Sequence, residues 1–371
     1  MSQLLPFLHD EALPPSRNDR SRIRRVVALV GVMFLVACVT WAGLTIRSVL
    51  PDESAAFTPG IATVVVVQPG DSLTAVGQRL TDAGVVGSVS AFLAAAELDE
   101  RAATIGPGVY NMVTGLAASE AIDRLVDAAF REPPLVLREG LRLRDTLAVT
   151  SAATGIPESE LLAAVSQPTA VEAPTWASGQ FEGLLFPATY TVLPGATADD
   201  VISDMVDRFN VAATETNLVK KSQRLGFTPY EVLTVASLIE AEAAPSDFRK
   251  VARVIYNRLA INQRLELDST INYALGTTTL IVTEEMLQTD SAYNTYRNAG
   301  LPPTPINSPG QAAIEAALKP ANGDWLYFVT VNPAERITRF TASYEKFLEL
   351  KAQFQRNYAE QVAAGILEPA G

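Results

Sequence analysis

Glu240 lies in the run Glu231-Val232-Leu233-Thr234-Val235-Ala236-Ser237-Leu238-Ile239-Glu240-Ala241-Glu242-Ala243, whose apolar positions recur at helical spacing. At about 100° per residue, Val232, Ala236, Ile239 and Ala243 share one face, and Glu240 projects from its shoulder between Leu233 and Ala236. A carboxyl bordered by Leu233, Ala236 and Ala243 loses hydration. Its pKa then rises, which suits it to donate a proton as a general acid. The plain alternative is a surface glutamate at a helix shoulder. Glu242 falls roughly 200° from Glu240 around the same wheel, so the two cannot share one small site as a dyad.

Few other groups are available for chemistry. In 371 residues His9 is the single histidine and Cys38 the single cysteine. A Ser-His-Asp triad would need its imidazole from residue 9, and Cys/His zinc sites and intrachain disulfides are excluded. Carboxylates, amides, hydroxyls, Lys and Arg remain. Twenty-nine Lys and Arg against 41 Asp and Glu give a net charge of −12 and a pI near 4.7, a balance unsuited to nucleic acid. Ser343-Tyr344-Glu345-Lys346 matches the SxxK pattern of penicillin-binding enzymes, but no KTG follows it, and phosphate-loop, GxSxG and EF-hand patterns are absent from the chain.

Six segments must position the carboxyl. Residues 1–25 include Arg17, Arg20, Arg22, Arg24 and Arg25, and residues 26–46 (VVALVGVMFLVACVTWAGLTI) carry no charge. At about 1.5 Å per residue the second stretch is long enough for a hydrocarbon core. The expectation is a single transmembrane helix with a cytoplasmic N-terminus and an extracytoplasmic remainder, as in a single-pass protein of the bacterial inner membrane. Leu35-Val36-Ala37-Cys38 offers the alternative of a lipoprotein signal with Cys38 lipidated, although the apolar run continues beyond it. Residues 47–61 read as a linker.

Over 62–130 the chain reads as a small α/β module. It has a β-branched run at 62–68, a Pro69-Gly70-Asp71 turn, a Ser72-capped helix through Leu80, a helix over 89–95 and a strand at 108–110. Residues 131–355 read as a larger mixed α+β domain. Strands are expected at 134–141 and 184–192 around an Ala-rich helical segment, then a helix to Phe209 with Thr197 as cap and Asp199 and Asp200 in its first turn. Two consecutive helices follow within 228–259, the first opened by the capping box of Thr228-Pro229-Tyr230-Glu231. Residues 356–371 read as a frayed acidic tail. The fold class is therefore α+β.

Several ordered blocks resemble one family. They are "REGLRLRD" at 138–145, "EGLLFPATYTV" at 182–192, "LTVASLIEAEA" at 233–243, "KVARVIYNRL" at 250–259, "RLELDSTINYALG" at 264–276, "YNTYRNAGLPPTPINSPG" at 293–310, "AIEAALKP" at 313–320 and "WLYFV" at 325–329. Together they resemble the endolytic murein transglycosylases of the YceG-like (MltG-type) family over almost the whole chain after residue 25. "VQPGDSLTAVGQRL" at 67–80 resembles a LysM module, which commonly binds N-acetylglucosamine polymers.

The resemblance implies cleavage of the MurNAc–GlcNAc β-1,4 bond within nascent peptidoglycan strands, without a cofactor, so that strand elongation ends. It places the catalytic acid on Glu240, the first Glu of the SxxExE block, which then acts as base and leaves a 1,6-anhydroMurNAc end. Asn257, Arg258, Asp268, Tyr293, Asn294 and Tyr296 match family positions and are of types that bond sugar hydroxyls and acetamido groups or stack on pyranose faces; a structural role stays open for each. The implied partners are glycan strands, the membrane, and peptidoglycan synthases and division proteins.

Glu266, Ser269 and Ala188 depart from the residues usual in the family, as do Thr338 and Lys346, which stand where many members carry histidines. Glu266 keeps open a hydrolase of the same bond, with Glu240 as acid and Glu266 or Asp268 as base. A scaffold that binds peptidoglycan without catalysis is the third possibility.

Overall fold

The computed structural model describes residues 58–168 and 170–367. The chain divides into two compact units, one ending at Glu132 and the other beginning at Pro133.

In the first unit, β1 (Ala62–Val67) pairs antiparallel with β2 (Gly108–Val113), and α1 (Leu73–Asp82), α2 (Val89–Leu98) and, after β2, α3 (Ala118–Val126) pack with them. Ser72 caps α1 by accepting from Ala75 N–H at 3.2 Å. Asp71 closes the preceding turn on Gln68 N–H at 2.7 Å and pairs with Arg79 at 3.0 Å. Alternate β-strand residues Val65, Val67, Tyr110 and Met112 face Val76, Leu80, Phe92 and Ile122 in a closed core. Its elements are those the β-branched run and the Ser cap predict, with α2 and β2 each three residues longer than expected.

The second unit opens on β3 (Leu135–Val136), α4 (Leu143–Thr154) and α5 (Glu158–Ser166). It continues through β4 (Thr189–Tyr190), α6 (Ala198–Thr216), α7 (Leu218–Leu225), α8 (Pro229–Glu242), α9 (Phe248–Ala260) and α10 (Asp268–Leu275). It ends with α11 (Gln311–Leu318), the β5 (Tyr327–Asn332) and β6 (Ile337–Thr341) hairpin, and α12 (Tyr344–Ala363). Thr197 and Thr228 form full capping boxes with Asp200 and Glu231, and Pro229 stands at the start of α8. The strands expected over 134–141 and 184–192 shrink to two residues each. One further bond, Leu137 N–H to Ala188 O at 2.9 Å, extends the pair before the chain leaves to meet residue 308. Helix α12 runs through residue 356, where the sequence reads as a tail, and ends at Ala363.

Helix α8 departs from the one-sided stripe its sequence suggests. Every residue from Val232 to Ile239 is buried, because α7, α9, α10 and α11 all pack against it. A helix apolar on all sides belongs at the centre of a core, and α8 is central to the cluster of Leu184, Phe209, Leu233, Leu238, Val251 and Ile314. A second cluster, around Leu147, Leu161, Leu185, Ile202 and Met205, supports α4 to α6.

The expected single-pass membrane architecture and inner-membrane localisation are corrected. Among the described residues no helix is long and apolar enough to cross a membrane. The longest helices, α6 and α12, carry Asp199, Asp200, Asp204 and Asp207, and Glu345, Lys346, Glu349 and Lys351, respectively. The 26–46 run, the residues before it and Cys38 lie outside the described residues. The fold is mixed α+β.

Leu238 is fully buried in the α8 core. Leu238→Ala should cost about 2–5 kcal/mol through lost transfer energy and the remaining cavity, read as a lower midpoint with unchanged slope in urea unfolding.

Candidate active site

Glu240 occupies the last turn of α8, where the helix leaves the core and its side chain becomes half-buried. Two distant segments meet there. Ser237, one turn earlier and fully buried, donates from Oγ to Thr234 O at 2.8 Å and accepts from Ile306 N–H at 3.0 Å. Its carbonyl accepts from Asn307 Nδ2 at 2.9 Å. These bonds lay the 304–310 loop along α8. Ser308 then exchanges backbone bonds with the 138–142 segment: Gly140 N–H to Ser308 O at 2.9 Å and Ser308 N–H to Leu141 O at 2.8 Å. The loop ends with Gly310 N–H donating to Glu240 Oε2 at 3.1 Å. Gly140 closes the other side, since a Cβ built on it would stand 3.7 Å from Glu240 Cγ. Gly183, at φ +88°, lets Pro305 approach to where a side chain would begin, at 2.8 Å.

Burial pushes the Glu240 carboxyl above its ordinary pKa, the Gly310 N–H opposes that shift, and the negative charge of Glu139 adds to it. Glu182 is buried more deeply, and desolvation pushes it up to about 7 against bonds from the Tyr273 hydroxyl at 2.8 Å and Leu143 N–H at 2.9 Å. Tyr273 packs on Tyr293 at 4.7 Å between ring centroids, and Tyr293 shares a 2.8 Å hydrogen bond with Thr304 at the start of the loop. Glu182 therefore ties α4 and α10 to the wall behind the 304–310 loop.

The other residues singled out from the sequence are held by the protein itself. Asn257 donates to Gly323 O and Trp325 O at 3.2 and 2.9 Å. Arg258, 6% exposed, spends its guanidinium on Leu326 O at 2.6 Å and Leu265 O at 2.5 Å and lies over the Tyr327 ring. Asn294 is fully buried, with Nδ2 on Leu287 O and Thr289 O and Oδ1 accepting from Tyr296 N–H at 3.0 Å. Tyr296 donates its hydroxyl to Asp268 at 2.5 Å. Asp268 acts on Glu242, whose carboxylate accepts from Ser269 N–H at 3.1 Å, rather than on Glu240. Glu266, in the left-handed region at φ 46°, faces Arg264 at 3.9 Å.

A cleft of about 720 Å³ is lined by Phe227, Tyr256, Asn257, Leu301, Pro302 and Pro303, and Glu240 does not line it. Among the described residues no three of His, Cys, Asp and Glu group as a metal site requires.

Glu139, Glu182, Ser237, Asn307 and Gly310 escape a reading of helix periodicity. They lie up to 171 positions apart in the sequence, and only the docked loop unites them. The signal available is that each falls within one of the ordered blocks.

Ser237→Ala leaves Ile306 N–H buried without a partner. It should cost about 1–3 kcal/mol, with amide hydrogen exchange speeded at Ile306 and Gly310 in the loop more than at the buried residues of α8. Glu182, raised from 4.5 to about 7, binds its proton more tightly folded than unfolded. Its stabilising contribution is complete below pH 4.5 and is lost as pH rises to 7. Glu182→Gln should flatten that decline, worth of the order of 2–3 kcal/mol, in unfolding curves taken from pH 5 to 8.

The sequence profile of the YceG-like family matches residues 65–353. An endolytic murein transglycosylase of Bacillus subtilis is 30% identical over 306 residues, covering 78% of this chain and 83% of the relative. One from Streptococcus pneumoniae is 29% identical over 297 residues, covering 71% of this chain and 53% of the relative, so the chain spans about half of that protein. The crystal structure of a yceG-like protein from Listeria monocytogenes matches with a TM-score of 0.54 and 27% identity, covering 79% of this chain and all of that one. With the profile extending over more than three quarters of its length, the chain belongs to the YceG-like family.

Proposed function

We propose that this protein is a lytic transglycosylase that cuts peptidoglycan glycan strands internally, with Glu240 as its acid and base. The observation that carries the reading is the half-buried carboxyl at the end of α8, raised in pKa and held by Gly310 N–H. The relatives' activity supports the bond assigned to it. Glu240 donates its proton to the glycosidic oxygen as the MurNAc C1–O bond breaks and GlcNAc leaves with its hydroxyl. The resulting carboxylate takes the proton of the MurNAc C6 hydroxyl, whose oxygen bonds C1 and closes the 1,6-anhydro ring. The proton returns to Glu240, so no second nucleophile and no water is consumed.

Gly310 N–H has a distinct part in this cycle. It stabilises the carboxylate formed after the first proton leaves, and so limits how far burial raises the acid. The bonding of Asp268 to Tyr296 and the turn of Glu266 toward Arg264 weigh against either as a base for water opposite Glu240.

The N-terminal unit, with its Pro69-Gly70-Asp71 turn between β1 and α1, is read as a LysM-like module that holds the glycan. Cutting nascent strands would bring the enzyme beside peptidoglycan synthases and division proteins.

The test is mass spectrometry of products formed from uncrosslinked glycan strands by the purified full chain. Wild type should release internal fragments ending in 1,6-anhydroMurNAc, and Glu240→Gln should be slower by about 10²–10⁴-fold. Reducing MurNAc ends would replace this reading with hydrolysis, and absence of cleavage would replace it with a binding role.

A further inference from the structure

Gly310 poses a question that its backbone does not answer. At φ −72° and ψ 167° it is extended, a conformation open to any residue. A Cβ there would nevertheless fall 1.8 Å from Glu139 Oε1 and 2.3 Å from its Cδ. The volume a side chain would fill is occupied by the carboxylate of Glu139. The same Gly310 gives its N–H to Glu240. One glycine therefore separates two carboxyl groups, one exposed to solvent and one half-buried.

The backbone that carries Glu139 is held beside the 304–310 loop by the Gly140–Ser308 and Ser308–Leu141 bonds, which keeps its side chain within reach of Gly310. We propose that Glu139 is a positioning residue for the reaction: seated against Gly310, its negative charge keeps the proton on Glu240 until the glycosidic oxygen takes it. This rests on the reading of Glu240 as the acid.

The charges around Glu240 are consistent with that role. The 138–142 segment carries Arg138, Glu139 and Arg142, of which Arg142 is turned to Thr277 O and the Tyr273 ring and Glu139 is the one that acts on Glu240, while the 304–310 loop has no ionisable residue and presents only the Gly310 N–H. On α8 itself, Glu242 is engaged with Ser269 N–H. At the start of α11, Gln311 bonds Glu315. Burial and Glu139 favour the neutral acid, and Gly310 N–H favours the carboxylate. Without Glu139 the Gly310 N–H would meet less opposition, and the acid would ionise at lower pH.

The experiment compares wild type, Glu139→Gln, Glu139→Lys and Gly310→Ala in the full chain. Two readouts are used: the Glu240 carboxyl titration followed by carbon NMR, and the pH profile of kcat/KM for anhydroMurNAc formation. The Glu240 titration midpoint should fall in Glu139→Gln and further in Glu139→Lys. Gly310→Ala, whose methyl group displaces the Glu139 carboxylate while leaving both acids in the chain, should lower it too. The alkaline limb of kcat/KM should move to lower pH with the midpoint, so that Glu139→Gln loses activity on that limb and keeps it on the acid side.

An unchanged Glu240 midpoint in both Glu139 variants would overturn the proposal, even if activity fell uniformly across pH as a structural role predicts. The NMR readout requires no turnover. A wild type that forms no anhydro product would overturn the transglycosylase reading separately from the link between Glu139 and Glu240.

Discussion

A helix surrounded by protein on every side can expose a functional group only where it leaves the core, and α8 meets that condition in its last turn. From Val232 to Ile239 it is buried, and its stability comes from packing rather than from any exposed polar face. Glu240 is the next residue. A carboxyl two turns earlier would be wholly desolvated, and one on a free surface would ionise below neutral pH. The boundary position gives a half-buried carboxyl whose pKa is raised by burial and which is still partly open to solvent. The architecture around α8, with α7, α9, α10 and α11 against it, establishes that boundary.

The other half of the site is made from backbone. Ile306 and Gly310 contribute N–H groups, Gly140 donates to Ser308 O and Ser308 donates to Leu141 O, so the loop is aligned on α8 and the 138–142 segment by polar groups that would be costly to bury unpaired. Ser237 links the two halves because its hydroxyl can donate to Thr234 O within the helix and accept from Ile306 outside it. Behind the loop, the Glu182–Tyr273–Tyr293–Thr304 chain supplies a second support from side chains. The influences on Glu240 are opposed, burial first and Glu139 after it raising its pKa and the Gly310 amide lowering it.

Local signals made much of the fold legible before any coordinates. The Thr197 cap, the Thr228 box, the Ser72 cap and the β-branched run from 62 act within a few residues, and each stands as expected, with the strand ending at Val67 and Thr197 forming a full box with Asp200. Glu240 was legible as a shoulder carboxyl for the same reason. The short β3–β4 pair was not, because strand propensity at 138–141 and 184–188 yields to contacts with residues far along the chain. The polar residues Asn257, Arg258 and Asn294 were ambiguous for a further reason. The amides and guanidinium that would suit sugars equally suit the backbone carbonyls of Gly323, Trp325, Leu326, Leu287 and Thr289, and only coordinates distinguish the two. Glu139 was hidden in the exposed 138–142 segment, with nothing local to mark it.

The alignment of the 304–310 loop imposes an asymmetric tolerance to sequence change. Main-chain atoms make the Ile306, Ser308 and Gly310 bonds, so exchanging the side chain at 306 or 308 removes no donor, whereas Asn307, which bonds Ser237 O through its amide, and Gly310, where a Cβ would meet Glu139, are constrained in identity. A single-residue deletion or insertion between Ser237's partner at 306 and Glu240's partner at 310 is different, since it would put the loop out of step with α8 at one end or the other.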